Sequence, residues 1–309
     1  MHVFAIPMRT RFRGIDLREG VLVRGEAGWG EFSPFREYAD DEARAWWRAA
    51  REAADVGWPA PLRDRIPVNA TVPAVAADQV AAVLDRFPGC RTAKVKVAEP
   101  GQQPADDEER LRAVRQALGP GAAIRIDANG GWDVDTAVRL LPRYDRAAGG
   151  LEYAEQPCPT AEDLASVRRR IEVPIAADES IRKSDDPLRV ARLHAADVVV
   201  LKVQPLGGVR ACLRIAEQVG IPVVVSSALE TSVGIAASVA LAAALPSLPY
   251  ACGIATVGLL ERDVVADPFV AVDGALAVRR PDPDARLMAA SKADQATHAW
   301  WAERVTRVR

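Results

Sequence analysis

A chain of 309 residues with 49% hydrophobic side chains is long enough for one large domain and a smaller accessory one. Forty Lys and Arg against 42 Asp and Glu leave a net charge of −2, with no electrostatic footprint for nucleic acid. The four cysteines (Cys90, Cys158, Cys212, Cys252) form no CxxC pair, so neither a zinc cluster nor a disulfide framework is suggested, and a reducing, cytoplasmic setting is expected.

The opening run from Met1 to Gly14 is too short in apolar residues for a signal peptide. Leu17 to Arg24 and Gly28 to Phe32 read as a hairpin with its turn near Gly25 to Ala27. A helix over Asp41 to Val56 follows, carrying Trp46 and Trp47. The middle of the chain then repeats a short apolar strand, a loop and an amphipathic helix. The eight strand candidates are Pro67 to Pro73, Thr92 to Val97, Ala123 to Asn129, Leu151 to Pro157, Pro174 to Ser180, Ala196 to Pro205, Pro222 to Glu230 and Ala251 to Val257. Helical patterns fill the gaps, for example Asp106 to Leu118, Asp185 to His194 and Gly208 to Val219. Strands alternating with helices imply parallel pairing, and eight at this spacing favour a closed α/β barrel. The competing doubly wound sheet usually has a Gly-rich first turn, and no G-x-G-x-x-G follows a strand.

Arg168-Arg169-Arg170 lies between Glu162 and Glu172 and reads as a solvated helix face. The Ala-rich stretch Ser232 to Leu245 stops at Pro246 and is too short to span a bilayer, so no membrane partner is expected. After about Leu260 the chain is charged and carries Trp300 and Trp301. The two ends, 1–66 and 261–309, are expected to form one α+β capping domain with the tryptophans in its core, leaving 67–260 as the barrel. A monomer is expected.

Ionisable residues fall in register on the repeat. Lys96 lies near the end of the second strand, Asp127 ends the third, Glu155 the fourth and Asp178 the fifth, and Lys202 lies in the sixth. The steps are 31, 28, 23 and 24 residues (127−96, 155−127, 178−155, 202−178), one strand–helix unit each. Residues at the C-terminal ends of successive barrel strands converge on one mouth. Three bare carboxylates there repel one another and require a cation. Oxygen donors without His or Cys favour Mg²⁺, with Mn²⁺ as a substitute. Lys94 points the same way as Lys96 and, with the cation, would lower its pKa toward that of a base. Two lysines on opposite sides of a cation suit removal of a proton α to a carboxylate. Any one of these acids alone is more often a helix cap or a surface pair. Five in register, in apolar strands where unpaired charge is disfavoured, point to a site. Asn129, two residues after Asp127, is expected to hydrogen-bond near the cation. His194 ends a helix on the far side of the barrel, and His2 and His298 carry no motif.

The segments KVK (Lys94 to Lys96), DANGGW (Asp127 to Trp132), EQP (Glu155 to Pro157), ADES (Ala177 to Ser180) and KVQPLGG (Lys202 to Gly208) resemble the muconate-lactonizing subgroup of the enolase superfamily, the known example of such a site. The resemblance covers 67–257 and, more loosely, the hairpin. It implies a modified (β/α)7β TIM barrel, Asp127, Glu155 and Asp178 as Mg²⁺ ligands, and Lys96 and Lys202 as the catalytic pair. Glu179 would support the ligands, its side chain pointing away from that of Asp178 on a strand.

Trp29 to Phe35, Pro67 to Thr71 and Ser226 to Ser232 narrow the resemblance to the o-succinylbenzoate synthase family. The implied substrate is a small carboxylate of menaquinone biosynthesis, a cyclohexadiene carboxylate with a succinyl group and a ring hydroxyl, which loses water by syn elimination. The resemblance puts Ser226, Ser227 and Gly253 near the succinyl carboxylate and a substrate-covering loop at Arg11 to Gly14. The rival readings are an N-acylamino acid racemase, a dipeptide epimerase or a muconate cycloisomerase with the same site. More distant is a barrel that binds a ligand without turnover.

Overall fold

The computed structural model describes residues 1–184 and 186–309. An antiparallel sheet opens the chain: β1 (His2–Phe12), β2 (Ile15–Arg24) and β3 (Trp29–Phe32), in that order. The hairpin is as read from the sequence; β1 is additional. Its alternation buries Phe4, Ile6 and Met8, and Pro7 falls on the opposite, less buried side, which an edge strand tolerates. Helix α1 (Asp40–Arg51) continues as a π turn over Glu52–Val56.

Next come β4 (Arg65–Pro67), β5 (Ala70–Val72), α2 (Val80–Leu84), β6 (Thr92–Lys96), α3 (Pro104–Leu118), β7 (Ala123–Asp127), α4 (Val134–Ala148), β8 (Tyr153–Glu155) and α5 (Ala161–Arg168). They are followed by β9 (Ile175–Ala177), α6 (Glu179–Arg182), α7 (Arg189–Arg192), β10 (Val198–Lys202), α8 (Val209–Val219), β11 (Val223–Ser226) and α9 (Ser232–Ala244). Strand β12 (Ala275–Ala277) and helices α10 (Ala285–Ala290) and α11 (Gln295–Val308) complete the chain. The helix expected over 185–194 is confined to α7, beyond Pro187, and its expected first residue Asp185 lies outside the described residues.

Strands β5 to β11 form a parallel sheet in sequence order. The eighth expected strand, 251–257, is two bridging residues, Cys252 and Gly253, before a 3-10 turn at Thr256–Leu259. Those two residues close the ring. Cys252 N donates to the Pro67 carbonyl at 2.7 Å and Gly253 N to that of Val225 at 2.8 Å. The carbonyls of Cys252 and Gly253 accept from Asn69 N and Ser227 N. Observed strands are shorter than the sequence suggested because their C-terminal residues peel into loops. Asn129 and Gln156 take left-handed backbone, φ 48° and 40°.

One continuous hydrophobic core runs from the N-terminal sheet into the barrel. Trp46 and Trp301 are buried in it, and Phe32 meets Trp47 and Trp301 edge-to-face at 5.5 and 5.8 Å. Helix α11 packs on α1 and β1, so the C-terminal segment lies against the N-terminal sheet. Among the described residues no helix is long and apolar enough to cross a membrane. Helix α9, the Ala-rich stretch, is instead buried on almost every side.

Candidate active site

Parallel register sets the charged residues side by side. Lys96 pairs with Asp127 and Asp127 with Glu155 along the sheet edge, and Lys202 pairs with Ser226. Asp178 follows β9 directly. In a ring of eight staves β6 and β10 are four apart, so Lys96 and Lys202 rise from opposite walls.

The side chains form one network. Lys96 Nζ donates to Asp127 Oδ2 at 2.6 Å and to Asn129 Oδ1 at 2.5 Å. Lys94 Nζ donates to Glu155 Oε1 and Oε2 at 3.0 and 3.1 Å and lies 3.2 Å from Asp127 Oδ2. Lys202 Nζ donates to Asp178 Oδ2 at 2.6 Å, and Arg182 Nε to Asp178 Oδ1 at 3.0 Å. Asp127, Glu155 and Asp178 are buried, and Lys96 is half-buried.

Electrostatics separate the two lysines of β6. Burial opposes charge on Lys94, but Glu155 and Asp127 overcome it and hold the ammonium firmly protonated. Burial lowers the pKa of Lys96, and the neighbouring Lys94 lowers it further against the pull of Asp127. Lys96 is therefore the amine moved toward a neutral base. Burial also opposes ionisation of Asp127 and Asp178. Lys96 with Lys94, and Arg182 with Lys202, nevertheless keep them well below the usual carboxylate range. Burial and then Asp127 push Glu155 up to about 7.

Three buried carboxylates, with no His or Cys beside them, have the donor chemistry of a hard divalent ion. As they stand, no three acids among the described residues are gathered closely enough to hold one. Lys94 sits between Asp127 and Glu155, and Lys202 and Arg182 hold Asp178.

Glu179 departs from the sequence reading. Asp178 is not within a strand. The chain turns there, with φ −113° and ψ −73°, into α6. Glu179 consequently stays beside the site, where its Oε1 accepts from Asn129 Nδ2 at 3.2 Å and from Arg182 Nη2 at 2.5 Å. Asn129 reaches Lys96, but from a left-handed loop position and not from a continued strand.

A cleft lies over the network. Ser226, Ser227 and Gly253 line it, with Ser227 Oγ 2.7 Å from Thr256 Oγ1. Phe12, Phe35, Trp46 and Leu229 supply apolar walls, so Trp46 borders the cleft as well as filling the core. Arg13, in the turn between β1 and β2, stacks 4.1 Å over Phe35 and donates to the Tyr38 hydroxyl at 2.9 Å. Of the segment 11–14, Phe12 and Arg13 thus border the mouth. His194 is exposed, and its carbonyl accepts from Arg168. His2 and His298 share a different surface depression.

Sequence reasoning missed Arg182 and Tyr38. Arg182 binds Asp178 and Glu179 and donates to Tyr38 OH at 2.8 Å. Its spacing of four after Asp178 was a usable signal once a helical turn is allowed there. Tyr38 had no local signal, because only the fold brings it to the mouth.

Known proteins agree with this architecture. The family models described as Enolase C-terminal domain-like and Enolase N-terminal domain-like match residues 75–283 and 3–54. The o-succinylbenzoate synthase of Thermobifida fusca is 64% identical, with 97% of this chain and 93% of that protein covered. That of Mycolicibacterium smegmatis is 58% identical, covering 99% and 94%. Muconate lactonizing enzyme from Pseudomonas fluorescens superposes with a TM-score of 0.80 at 23% identity, covering 94% and 97%, a likeness of fold. The L-Ala-D/L-Glu epimerase of Bacillus subtilis does so with 0.77 at 23% identity, covering 91% and 95%. With strand-end carboxylates between two opposed lysines and relatives this similar over nearly its whole length, the chain belongs to the enolase superfamily and, within it, to the o-succinylbenzoate synthase family.

Proposed function

We propose that the chain dehydrates 2-succinyl-6-hydroxy-2,4-cyclohexadiene-1-carboxylate to o-succinylbenzoate, a step of menaquinone biosynthesis. The observation that carries the reading is the pair Lys96 and Lys202 on opposite walls with buried carboxylates between them. Close relatives named o-succinylbenzoate synthase support the choice of substrate.

Superfamily members work with a divalent metal, and Asp127, Glu155 and Asp178 would hold it here as Mg²⁺. The bound ion would offset carboxylate charge and act as a Lewis acid toward the substrate carboxylate.

Lys96, neutral at the start, takes the proton α to the ring carboxylate. Lys202 stays an ammonium on the other face and stabilises the negative charge that develops on that carboxylate. Lys96, now protonated, returns the proton to the hydroxyl leaving from the same face. One C–H and one C–O bond break, water departs, and the new ring double bond completes an aromatic system. Arg182 and Lys94 hold the acids in place, and the covering turn with Phe12 and Phe35 excludes water.

The test is o-succinylbenzoate formation assayed with Mg²⁺ and with EDTA, for wild type, Lys96→Ala and Lys202→Ala. Activity should vanish with EDTA and in both variants while the circular dichroism stays that of the wild type. Wild-type turnover by either variant would overturn the roles given to the lysines. Racemisation or cycloisomerisation would appear as α-deuterium exchange on those substrates with no o-succinylbenzoate formed.

A further inference from the structure

Arg18 lies on β2, away from the cleft, yet its hydrogen bonds end on two cleft walls. Nε donates to the Leu229 carbonyl at 3.0 Å, and Nη2 to the Ala228 carbonyl at 3.1 Å. Nη2 also donates to the Ser33 carbonyl and, at 3.0 Å, to Ser33 Oγ. The guanidinium stands 4.7 Å over the Phe35 ring. Ala228, Leu229 and Phe35 line the cleft, whereas Arg18 is buried behind them. The N–H side of the same loop is fixed by Glu230, whose Oε2 accepts from Ala228 N at 2.6 Å.

Leu229 has φ +65°. A branched aliphatic residue rarely adopts left-handed backbone, and such a residue persists only where its surroundings impose it. Here the imposing contacts are the guanidinium on the carbonyls of residues 228 and 229 and the Glu230 carboxylate on the 228 amide. One side chain of the N-terminal sheet thus fixes the loop after β11 and the segment after β3 relative to each other.

We infer that Arg18 is a positioning residue for substrate fit: it clamps Leu229 in its left-handed conformation, and Phe35 opposite, so that both press on the apolar part of the substrate. The inference rests on the functional reading above for the identity of that substrate. Arg18 itself touches neither the substrate nor the reacting atoms.

The test compares Arg18→Met, Leu229→Ala and the double variant, each full-length and with Mg²⁺. Leu229→Ala should raise KM about tenfold, the scale of a lost hydrocarbon contact, with a smaller change in kcat. Arg18→Met should raise KM similarly, and the double variant should be no worse than Arg18→Met alone, because both act through one wall. A fall in Tm with KM unmoved would show a merely structural arginine and overturn the inference. If Arg18→Met does not fold, an unchanged KM in Leu229→Ala is by itself sufficient to reject it. A second cycle needs no activity. Leu229→Gly removes the backbone constraint, so Arg18→Met should lower Tm less in that background than in wild type. Equal losses would reject the clamp. A wild-type chain that forms no o-succinylbenzoate would reject the functional reading instead, and the unfolding cycle would still decide the clamp.

Discussion

Lys94 and Lys96 lie two residues apart on one strand and face the same way, but their surroundings give them different work. Lys94 is buried and shares its ammonium between Glu155 and Asp127. Replacing it with Met would leave buried Glu155 without the ammonium that meets both its oxygens, while Asp127 keeps Lys96. Breaking such a pair costs about 3–5 kcal/mol, so Lys94→Met should unfold at markedly lower urea than wild type. Lys96→Met, which leaves Asp127 beside Lys94 and removes an amine whose charge burial opposes, should lose less. Equal midpoints for the two variants would contradict the division. Glu31 offers a titration that can be read apart from the charged network at the mouth. Burial pushes it up to about 7, against donation by Thr231 and Ser33 and the charge of Arg18. An acid whose pKa is higher folded than unfolded, here about 7 against 4.5, binds its proton more tightly in the fold. Its contribution is therefore fully present below the unfolded pKa and declines as pH rises toward the folded one, by about 1.4 kcal/mol per unit. The unfolding free energy of wild type minus that of Glu31→Gln should shrink between about pH 5 and pH 7 and level off above. A pH-independent difference would mean that burial does not control this carboxyl.

Elements here are joined by carboxylates that reach from one to the start of another. Glu31, on β3, accepts from Thr231 N and Gly234 N at the start of α9. Glu52, at the end of α1, accepts from Val209 N at 2.6 Å and Arg210 N at 3.2 Å at the start of α8. Gly208 makes room for the second contact. It has φ +124°, and an added Cβ would lie 2.1 Å from Glu52 Oε2. Gly208→Ala should cost about 2 kcal/mol or more, since it strains the backbone and displaces the cap. Gly220→Ala, at φ +69° with open space around its Cβ, should cost only about 1 kcal/mol. Urea midpoints that ranked the two the other way would disprove the steric account. These joints were invisible in the sequence, because Glu31 and Glu52 lie far along the chain from the amides they cap. What was legible was periodic or repeated. The strand–helix repeat gave the parallel barrel, and charges at a spacing of one repeat gave the mouth. The eighth strand was over-read, because two bridging residues suffice to close the ring. The strand geometry assumed for Glu179 failed because β9 ends at Ala177, three residues before the expected end at Ser180 (180−177).

At the scale of the whole molecule, the mouth is electrically balanced and the two ends of the chain are bound into one core. With every side chain ionised, Asp127, Glu155, Asp178 and Glu179 supply four negative charges and Lys94, Lys96, Lys202 and Arg182 four positive ones, and Lys96 acting as the neutral base removes one of the latter. A divalent ion adds two positive charges, and a substrate with two carboxylates cancels them. A ligand that binds only the folded state stabilises it by mass action, by about 2.7 kcal/mol at a hundredfold excess over Kd. Mg²⁺ should therefore raise Tm in a concentration-dependent way, and EDTA should return it to the starting value. Because the hydrophobic core is continuous between the N-terminal sheet and the barrel, the whole transition should move and not a barrel fraction of it. Asp127→Asn and Glu155→Gln should lose the response, since each removes a proposed ligand oxygen's charge. Lys202→Met should keep it, since it removes only the facing ammonium. A Tm indifferent to Mg²⁺ in wild type would take the metal away from these carboxylates. An unchanged response in Asp127→Asn and Glu155→Gln would move the ion to other oxygens.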